Sequence, residues 1–484
     1  MPASMRTSGV TDMGRTGFCG QAAEGVEGHV VEERIRELAA EVGVGLPPVR
    51  VTGDDPVLPS VFRVGGAAAV AVGAATAAAA ALGGGGHEPA VDVREAAAAF
   101  RDERHFRIDG VAGELWAPLS GDYRAADGWV RLHCNFDHHR AAALTALGLP
   151  SAAGRDAVVR ACAGRAAVEV EESVTAAGGC AAAMRSRAEW REHPQAREVA
   201  TAPLVGLTRL GDTRLGDPDG VRTSAPRRGG RRPLDGVRVL DLTRVIAGPV
   251  ATRTLAAHGA QVLRVGAGHL PEVPRLVIGT AFGKRSCHLD LRTAAGRAAL
   301  RELVAGADVF VQSYRPGALQ SLGFGPGELA AIRPGIVCVD VSAYGGRGPW
   351  ALRRGFDSLV QMACGIAHEG GDGSRPHPLP AQVLDHATGY LAAFGAMAAL
   401  LRRSAEGGSW RVELSLARTA RWLDGLGRVD GAATPEPDVT DLIEEMDSAF
   451  GRLTYLRPPG TVGGVSPYWA SPPPENGEHP PAWW

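Results

Sequence analysis

The chain has 484 residues, of which 45% are apolar and 21% charged, a composition that supports large buried cores and, at roughly 100–200 residues per domain, two to four domains. Fifty-one Lys and Arg against 53 Asp and Glu leave a formal charge of −2, which argues against bulk nucleic-acid binding and against a polybasic membrane anchor. Seven scattered cysteines without a CxxC pair argue against a disulfide framework or zinc ribbon and fit a reducing, cytoplasmic setting.

Residues 1–54 read as a polar, Gly-rich segment with one helix at 31–42, and the first twenty residues lack the apolar stretch of a signal peptide. The charge-free run 64–86 is mostly Ala and Gly, with no Leu before Leu82. It reads as a buried helix, with a membrane span as the lesser alternative. The region to 212 mixes Ala-rich helices with short strands, one of them at 129–132. The segment HCNFDHH (133–139) is rich in metal-capable side chains, but no second ligand cluster follows at a standard spacing. Ordinary polar packing is therefore expected there, and no metal. Residues 213–232 carry Pro, Gly and six arginines without apolar periodicity, and are expected to be a solvated linker.

From Pro233 the pattern changes. Strands are predicted at 237–242, 261–265, 286–291, 308–312 and 336–341, with helices at 248–258, 294–305 and 327–331. Strand and helix alternating in this way point to a parallel sheet with helices on both faces. Ligands of such sheets sit beyond the carboxyl ends of the strands, and the loop 243–247 is such a place. The tail from Arg457 holds eight prolines and should be extended, without regular structure.

An internal repeat relates 383–420 to 61–99, with Gly395 on Gly73 at an offset of 322. Both copies read as a small-residue helix, a Gly-rich turn and a strand (412–414 and 91–93). At this offset Asp385 falls on Arg63. Asp385 opens its helix, where it is suited to cap the backbone N–H groups, and an ionised carboxylate there is also a usable nucleophile toward an activated acyl group. Lys284 is the only lysine in the chain, and its survival among arginines suggests a site that needs a compact ammonium. Arg315, in SYRPG after a strand and before a Pro-Gly turn, is suited to pairing with phosphate or to a solvated loop.

Five stretches between 233 and 425 resemble the class III CoA-transferase family, which includes formyl-CoA transferases, carnitine CoA-transferases and 2-methylacyl-CoA racemases. They are PLDGVRVLDLTRVIAGPVATRTLAAHGAQVLRV, FGKRSCHLDL with the segment through SYRPGALQSLGFGPGEL, RPGIVCVDVSAYGGRGPW, RRGFDSLVQMACGI and LDHATGYLAAFGAMAALLRR. Residues 127–204 resemble the family's small domain more weakly. The resemblance implies six segments: a polar start (1–54), a degenerate copy of the nucleophile-helix region (55–108), a small domain (109–212), the linker (213–232), the CoA-binding and catalytic domain (233–425) and a Pro-rich closing segment (426–484). The implied fold class is α/β, a Rossmann-like parallel sheet with a smaller α+β domain. The order of segments suggests a fusion of two partial copies.

The resemblance implies further that Asp385 is the nucleophile, attacking an acyl-CoA thioester to give a mixed anhydride and then an aspartyl-CoA thioester. Val245, Ile246 and Ala247 match the family's CoA-contacting loop, Lys284 its CoA-side lysine, and Ser313 and Tyr314 its Asn-Phe pair. Arg315 follows that pair, Arg354 matches a further basic position, and Phe356 and Asp357 match an aromatic–acidic pair that shapes the substrate pocket. No permanently bound cofactor is implied. CoA and acyl-CoA enter as substrates beside a carboxylic acid, and a homodimer is expected. The chain departs from the family pattern at Ile246, where a glutamine is frequent, at Gly266 and at Ala267. Two alternatives follow: an acyl-CoA-binding pseudoenzyme without turnover, or a 2-methylacyl-CoA racemase, which is disfavoured because the second base of the racemases is replaced by Phe356.

Overall fold

The computed structural model describes residues 26–84, 86–211 and 232–484. The expectations for the first 25 residues, for Gly85 and for the linker at 213–232 up to residue 231 lie outside the described residues.

The N-terminal part consists of α1 (Val26–Glu41), β1 (Arg50–Thr52), α2 (Val64–Leu82), β2 (Pro89–Asp92), α3 (Val93–Ala99), α4 (Asp102–His105) and β3 (Arg107–Ile108). The middle part holds β4 (Gly121–Arg124), β5 (Trp129–Leu132), α5 (Asp137–Ala146), α6 (Arg155–Ala163), α7 (Ala167–Ala176), β6 (Ala181–Ala183), α8 (Arg187–Glu192), α9 (Pro194–Thr201) and β7 (Gly206–Leu210). Strand and helix then alternate through β8 (Arg238–Leu242), α10 (Ala247–Ala257), β9 (Gln261–Gly266), α11 (Pro274–Thr280), β10 (Lys284–His288), α12 (Ala294–Ala305), β11 (Val309–Gln312), α13 (Pro326–Ile332) and β12 (Val337–Ser342). After them come α14 (Asp357–Ala363), α15 (Ile366–Glu369), α16 (Val383–Glu406), β13 (Ser409–Ser415) and α17 (Leu416–Gly425), and the tail adds β14 (Ile443–Ser448), β15 (Gly451–Leu456) and β16 (Thr461–Val462).

The main sheet has seven strands in the order β10-β9-β8-β11-β12-β13-β7, parallel throughout except for the antiparallel edge strand β7. From β8 the chain winds outward to β9 and β10, then returns to β11 on the other side. The order therefore reverses between β8 and β11, and the crevice beyond their carboxyl ends is where such sheets hold ligands. Val239, Val262, Val309 and Val337 are all fully buried, as expected for strands covered on both faces. The middle part builds a core of its own, in which Tyr123, Val130 and Leu132 of the β4-β5-β6 sheet pack against Leu144, Val158 and Val170 of α5 to α7.

Two helices, Val64–Leu82 and Val383–Glu406, are long and apolar enough to cross a membrane, but here they are packed inside the protein against each other. The repeat seen in the sequence is also a repeat of topology. β2 pairs in parallel with β1 and antiparallel with β16, as β13 pairs in parallel with β12 and antiparallel with β7. Gly73 and Gly395 both sit where the helix crosses its own following strand. A Cβ at Gly73 would come within 3.3 Å of Val91, and one at Gly395 within 2.6 Å of Val412.

The helix starts set a different equivalence from the glycines. Arg63 (φ −74°, ψ 67°) and Gln382 (φ −78°, ψ 62°) hold the same N-cap position. An aspartate takes the backbone N–H three residues later in both copies, Asp55 at Gly66 (3.2 Å) and Asp357 at Asp385 (2.9 Å). The counterpart of Asp385 at the helix start is therefore Gly66, not Arg63. Between helix start and glycine, α2 is shorter than α16 by three residues, close to one turn.

The tail from Arg457 is extended as expected, its one short strand being β16, which pairs with β2. The β14–β15 hairpin just before it, with β3 as third strand, was not expected.

Candidate active site

Beyond β8 and β11 lies a cleft of about 410 Å³. Its floor is the loop from β8 into α10. Val245 there holds φ +72°, a backbone conformation that a β-branched residue adopts only under strain and one that marks functional loops. Val245, Ile246 and Ala247 all line the cleft. The following helix packs tightly on α16: a Cβ on Gly389 would fall 2.7 Å from the Ala247 carbonyl oxygen and 2.8 Å from Val250 Cβ. That contact sets the first turn of α16 beside the loop, and Asp385, 7% exposed, lines the cleft from this turn.

Asp385 is the third residue of α16 and does not cap it. The cap position is Gln382, without a side-chain bond, and the Asp385 N–H donates to Asp357 Oδ2 at 2.9 Å. Its carboxyl group is accordingly not lowered as capping would require. Burial, then the neighbouring charges of Asp357 and Glu103, push it well above the ordinary carboxylate range. Asp357 is fully buried behind the cleft wall. Burial raises it to about 6, against the opposing bonds from the Asp385 N–H and the Gln361 amide. Two buried carboxyl groups this close resist simultaneous ionisation.

The cleft brings together Ser313, Tyr314 and Arg315 after β11, and Arg354 and Phe356 before α14. Ser313 Oγ accepts from the Arg244 N–H at 3.3 Å, and Arg354 Nη1 donates to the Gly178 carbonyl at 2.9 Å. The Arg315 side chain makes no ion pair among the described residues. Lys284 is not brought to the cleft, which corrects the expectation of a CoA-side lysine there. Its ammonium is buried beneath α10 and bonded to Asp241 Oδ2 (2.9 Å), Thr252 Oγ1 (2.7 Å) and the Pro249 carbonyl (3.0 Å). Burial, partly offset by Asp241, lowers it to about 8. The compact ammonium clamps the start of α10 to β8, below the loop instead of in it. Asp357 likewise stands behind the wall and acts on the cleft only through Asp385.

The sequence reading missed a wall of the cleft that comes from the middle part of the chain. Phe136, His138 and His139, at the start of α5, line the cleft, and Phe136 and His139 pack against Phe356. His133 stacks face to face on Phe356, with centroids 3.6 Å apart and planes 3° off parallel. Burial pushes His133 down to about 3 and His139 to about 4, so both are neutral at pH 7. The signal was the HCNFDHH segment itself, whose rings pack as a wall. Among the described residues no His, Cys, Asp and Glu group of three or more could hold a metal. Arg244 and Arg353 were missed as well. Arg244 pairs with Glu272 at 3.6 Å and Arg353 with Glu171 at 2.8 Å, so Arg315 and Arg354 are the arginines that give the lining its positive charge, and Asp385 is its one acidic residue among the described residues. Such a cleft attracts polyanions. A second cleft of about 550 Å³ adjoins it, sharing Tyr314, Arg315 and Pro316.

Residues 234–427 match the model of CoA-transferase family III, and in this segment the chain is similar to that family. It is 38% identical over 240 residues to the acetyl-coenzyme A transferase nodX of Hypoxylon pulicicidum, covering 47% of this chain and 40% of that protein. It is 33% identical over 229 residues to a probable fatty acyl-CoA transferase of Mycobacterium tuberculosis, covering 43% and 57%. To an acyl-CoA transferase of Gibberella moniliformis it is 32% identical over 316 residues, covering 61% and 54%. The chain thus spans about half the length of these relatives.

Proposed function

We propose that the protein is a class III CoA-transferase that moves CoA between an acyl-CoA and a free carboxylic acid, with Asp385 as nucleophile in a Rossmann-like CoA-binding domain. The observation that carries this reading is a lone carboxylate on a cationic cleft at the sheet's switch point, in a segment matching family III. The names of the relatives, acetyl-CoA and acyl-CoA transferases, agree with it.

Burial holds a proton on Asp385, and once that proton is lost to solvent through the cleft the carboxylate attacks the thioester carbonyl carbon, so the attack quickens as pH rises. The C–S bond breaks, CoA leaves as thiolate, and Asp385 holds the acyl group as a mixed anhydride. The thiolate then attacks the Asp385 carbonyl carbon, releasing the donor acid and leaving an aspartyl-CoA thioester. The acceptor carboxylate attacks that thioester to give a second anhydride, and the thiolate takes the new acyl group from it. Carboxylate attack divides one hard transfer into easier steps. Arg315 and Arg354 hold the CoA phosphates, and the adjoining cleft gives the long molecule room to extend. Phe356, stacked on His133, walls the acyl side and offers no base for α-proton exchange.

The test is a panel of acetyl-, succinyl- and octanoyl-CoA against free acids, followed by mass spectrometry for exchanged thioesters. Exchange that disappears in Asp385→Ala supports the reading. Binding without exchange would leave the pseudoenzyme, and deuterium uptake at the α-carbon of a 2-methylacyl-CoA would favour the racemase.

A further inference from the structure

His386 follows Asp385 in the first turn of α16 but is absent from the cleft lining. It lines a separate cavity with room for about 20 Å³, one water's worth. Its ring is 2% exposed and stacks on Phe100, with centroids 5.7 Å apart. Nε2 lies 2.9 Å from Oε2 of Glu103, on α4 of the N-terminal part, and Nδ1 is buried without a partner. Ile246 lines both the cavity and the cleft.

The charged groups around this ring are Glu103 and Asp102 from α4, Arg253 from α10, Arg275 from α11, Asp357 from α14 and Asp385 on its own helix. Asp102 is taken by Arg253 at 2.6 Å, which leaves Glu103 for His386. Burial raises Glu103, but the charge and hydrogen bond of His386 outweigh it and hold the carboxyl below its ordinary range. Glu103 is therefore ionised at neutral pH, and Nε2 carries the shared hydrogen.

The start of α16 has no side-chain cap of its own. Two acids from other elements grip it instead at consecutive residues, Asp357 at the backbone of 385 and Glu103 at the ring of 386. A buried ion pair contributes little net stability compared with apolar packing, and its best-attested use is to fix registry. We propose that Glu103 and His386 form a positioning pair, through which the N-terminal part of the chain fixes the first turn of α16 and so the Asp385 carboxylate. The proposal rests on Asp385 being the acyl acceptor of the proposed transfer. It gives the N-terminal repeat, which has a glycine where the later copy has its nucleophile, a role in the surviving site.

The test uses the full chain and whichever of acetyl-, succinyl- or octanoyl-CoA the wild type exchanges, with Glu103→Gln, Glu103→Ala, His386→Gln and the Glu103→Ala/His386→Gln double variant. Turnover is expected to fall about tenfold or more in Glu103→Ala and His386→Gln, with the half-saturating acyl-CoA concentration within about twofold of wild type, since neither residue lines the cleft. Glu103→Gln keeps an acceptor for the ring N–H and should recover part of the loss. The double variant should be no worse than the poorer single one, as for residues that act as a unit. Wild-type turnover in Glu103→Ala, losses that multiply in the double variant, or a change confined to half-saturation would overturn the proposal. If Glu103→Ala does not fold, Glu103→Gln decides: reduced turnover at an unchanged melting temperature supports the pair, and unchanged turnover removes it. A wild type that exchanges CoA while all variants match it removes the pair and leaves the transferase. A wild type that exchanges none of the three thioesters removes both.

Discussion

Asp357→Asn probes the electrostatics of Asp385 without touching the cleft. Asp357 is fully buried, and burial raises it from 3.8 to about 6. A carboxyl group that holds its proton more tightly in the folded state gives stability that is fully present below the unfolded value and lost as pH rises through the folded one. A shift of this size corresponds to about 3 kcal/mol lost between pH 3.8 and 6. Asparagine carries no such proton and keeps a carbonyl to accept the Asp385 N–H, but its amide nitrogen then faces the Gln361 Nε2 donor, and an unsatisfied buried donor costs about 1–3 kcal/mol at every pH. The variant should therefore start less stable than wild type at acid pH and gain about 3 kcal/mol on it by pH 8. Urea unfolding at several pH values from 4 to 9 measures the difference. Removing the like charge should also lower the Asp385 carboxyl, so acylation of the variant should persist to lower pH. Stability curves that run parallel across the whole range, or an advantage greatest at acid pH, would refute the reasoning.

Lys284→Met leaves the Asp241 carboxylate buried without its cation, so unfolding should cost about 3–5 kcal/mol less, while the folded variant keeps its half-saturation for acyl-CoA. A stable variant with weakened acyl-CoA binding would return Lys284 to the site. Gly389→Ala places a methyl group 2.7 Å from the Ala247 carbonyl oxygen; urea unfolding should show a loss of about 1–3 kcal/mol from overpacking, and exchange assays a fall in turnover as the loop leaves Asp385. Arg315→Glu should raise the half-saturating acetyl-CoA concentration about tenfold at low ionic strength and less in about 0.5 M salt, because exposed charges are screened there.

Most strands of 233–425 were legible as short apolar runs, and Gly or Pro marks several helix boundaries, as at Gly259 after α10 and Pro326 opening α13; β10, which reads KRSCH, lies at 284–288 instead of 286–291, and α11, α14 and α15 were not expected. Nor was the β14–β15 hairpin. β14 reads IEEMDS, is mostly exposed, and is a strand only because β15 supplies its partner. Asp385, the 245–247 loop and Arg315 could be found from local pattern and resemblance. The wall of Phe136, His138 and His139 depends on packing against Phe356, a contact distant in sequence that no spacing reveals. Lys284 was recognised as unusual, but its compactness serves a buried clamp, and burial cannot be read from a single residue. The repeat was visible through its glycines, yet the turn missing from α2 shifts the equivalence of the helix starts, and only backbone geometry at Arg63 and Gln382 exposes that shift.

The most direct measurement is to incubate the protein with acetyl-, succinyl- or octanoyl-CoA, quench with hydroxylamine and map the modified peptide by mass spectrometry. A hydroxamate on Asp385 in the wild type, absent from Asp385→Asn, is the predicted result. An unmodified Asp385 under conditions where CoA exchange proceeds, or an adduct on a different side chain, would contradict the account.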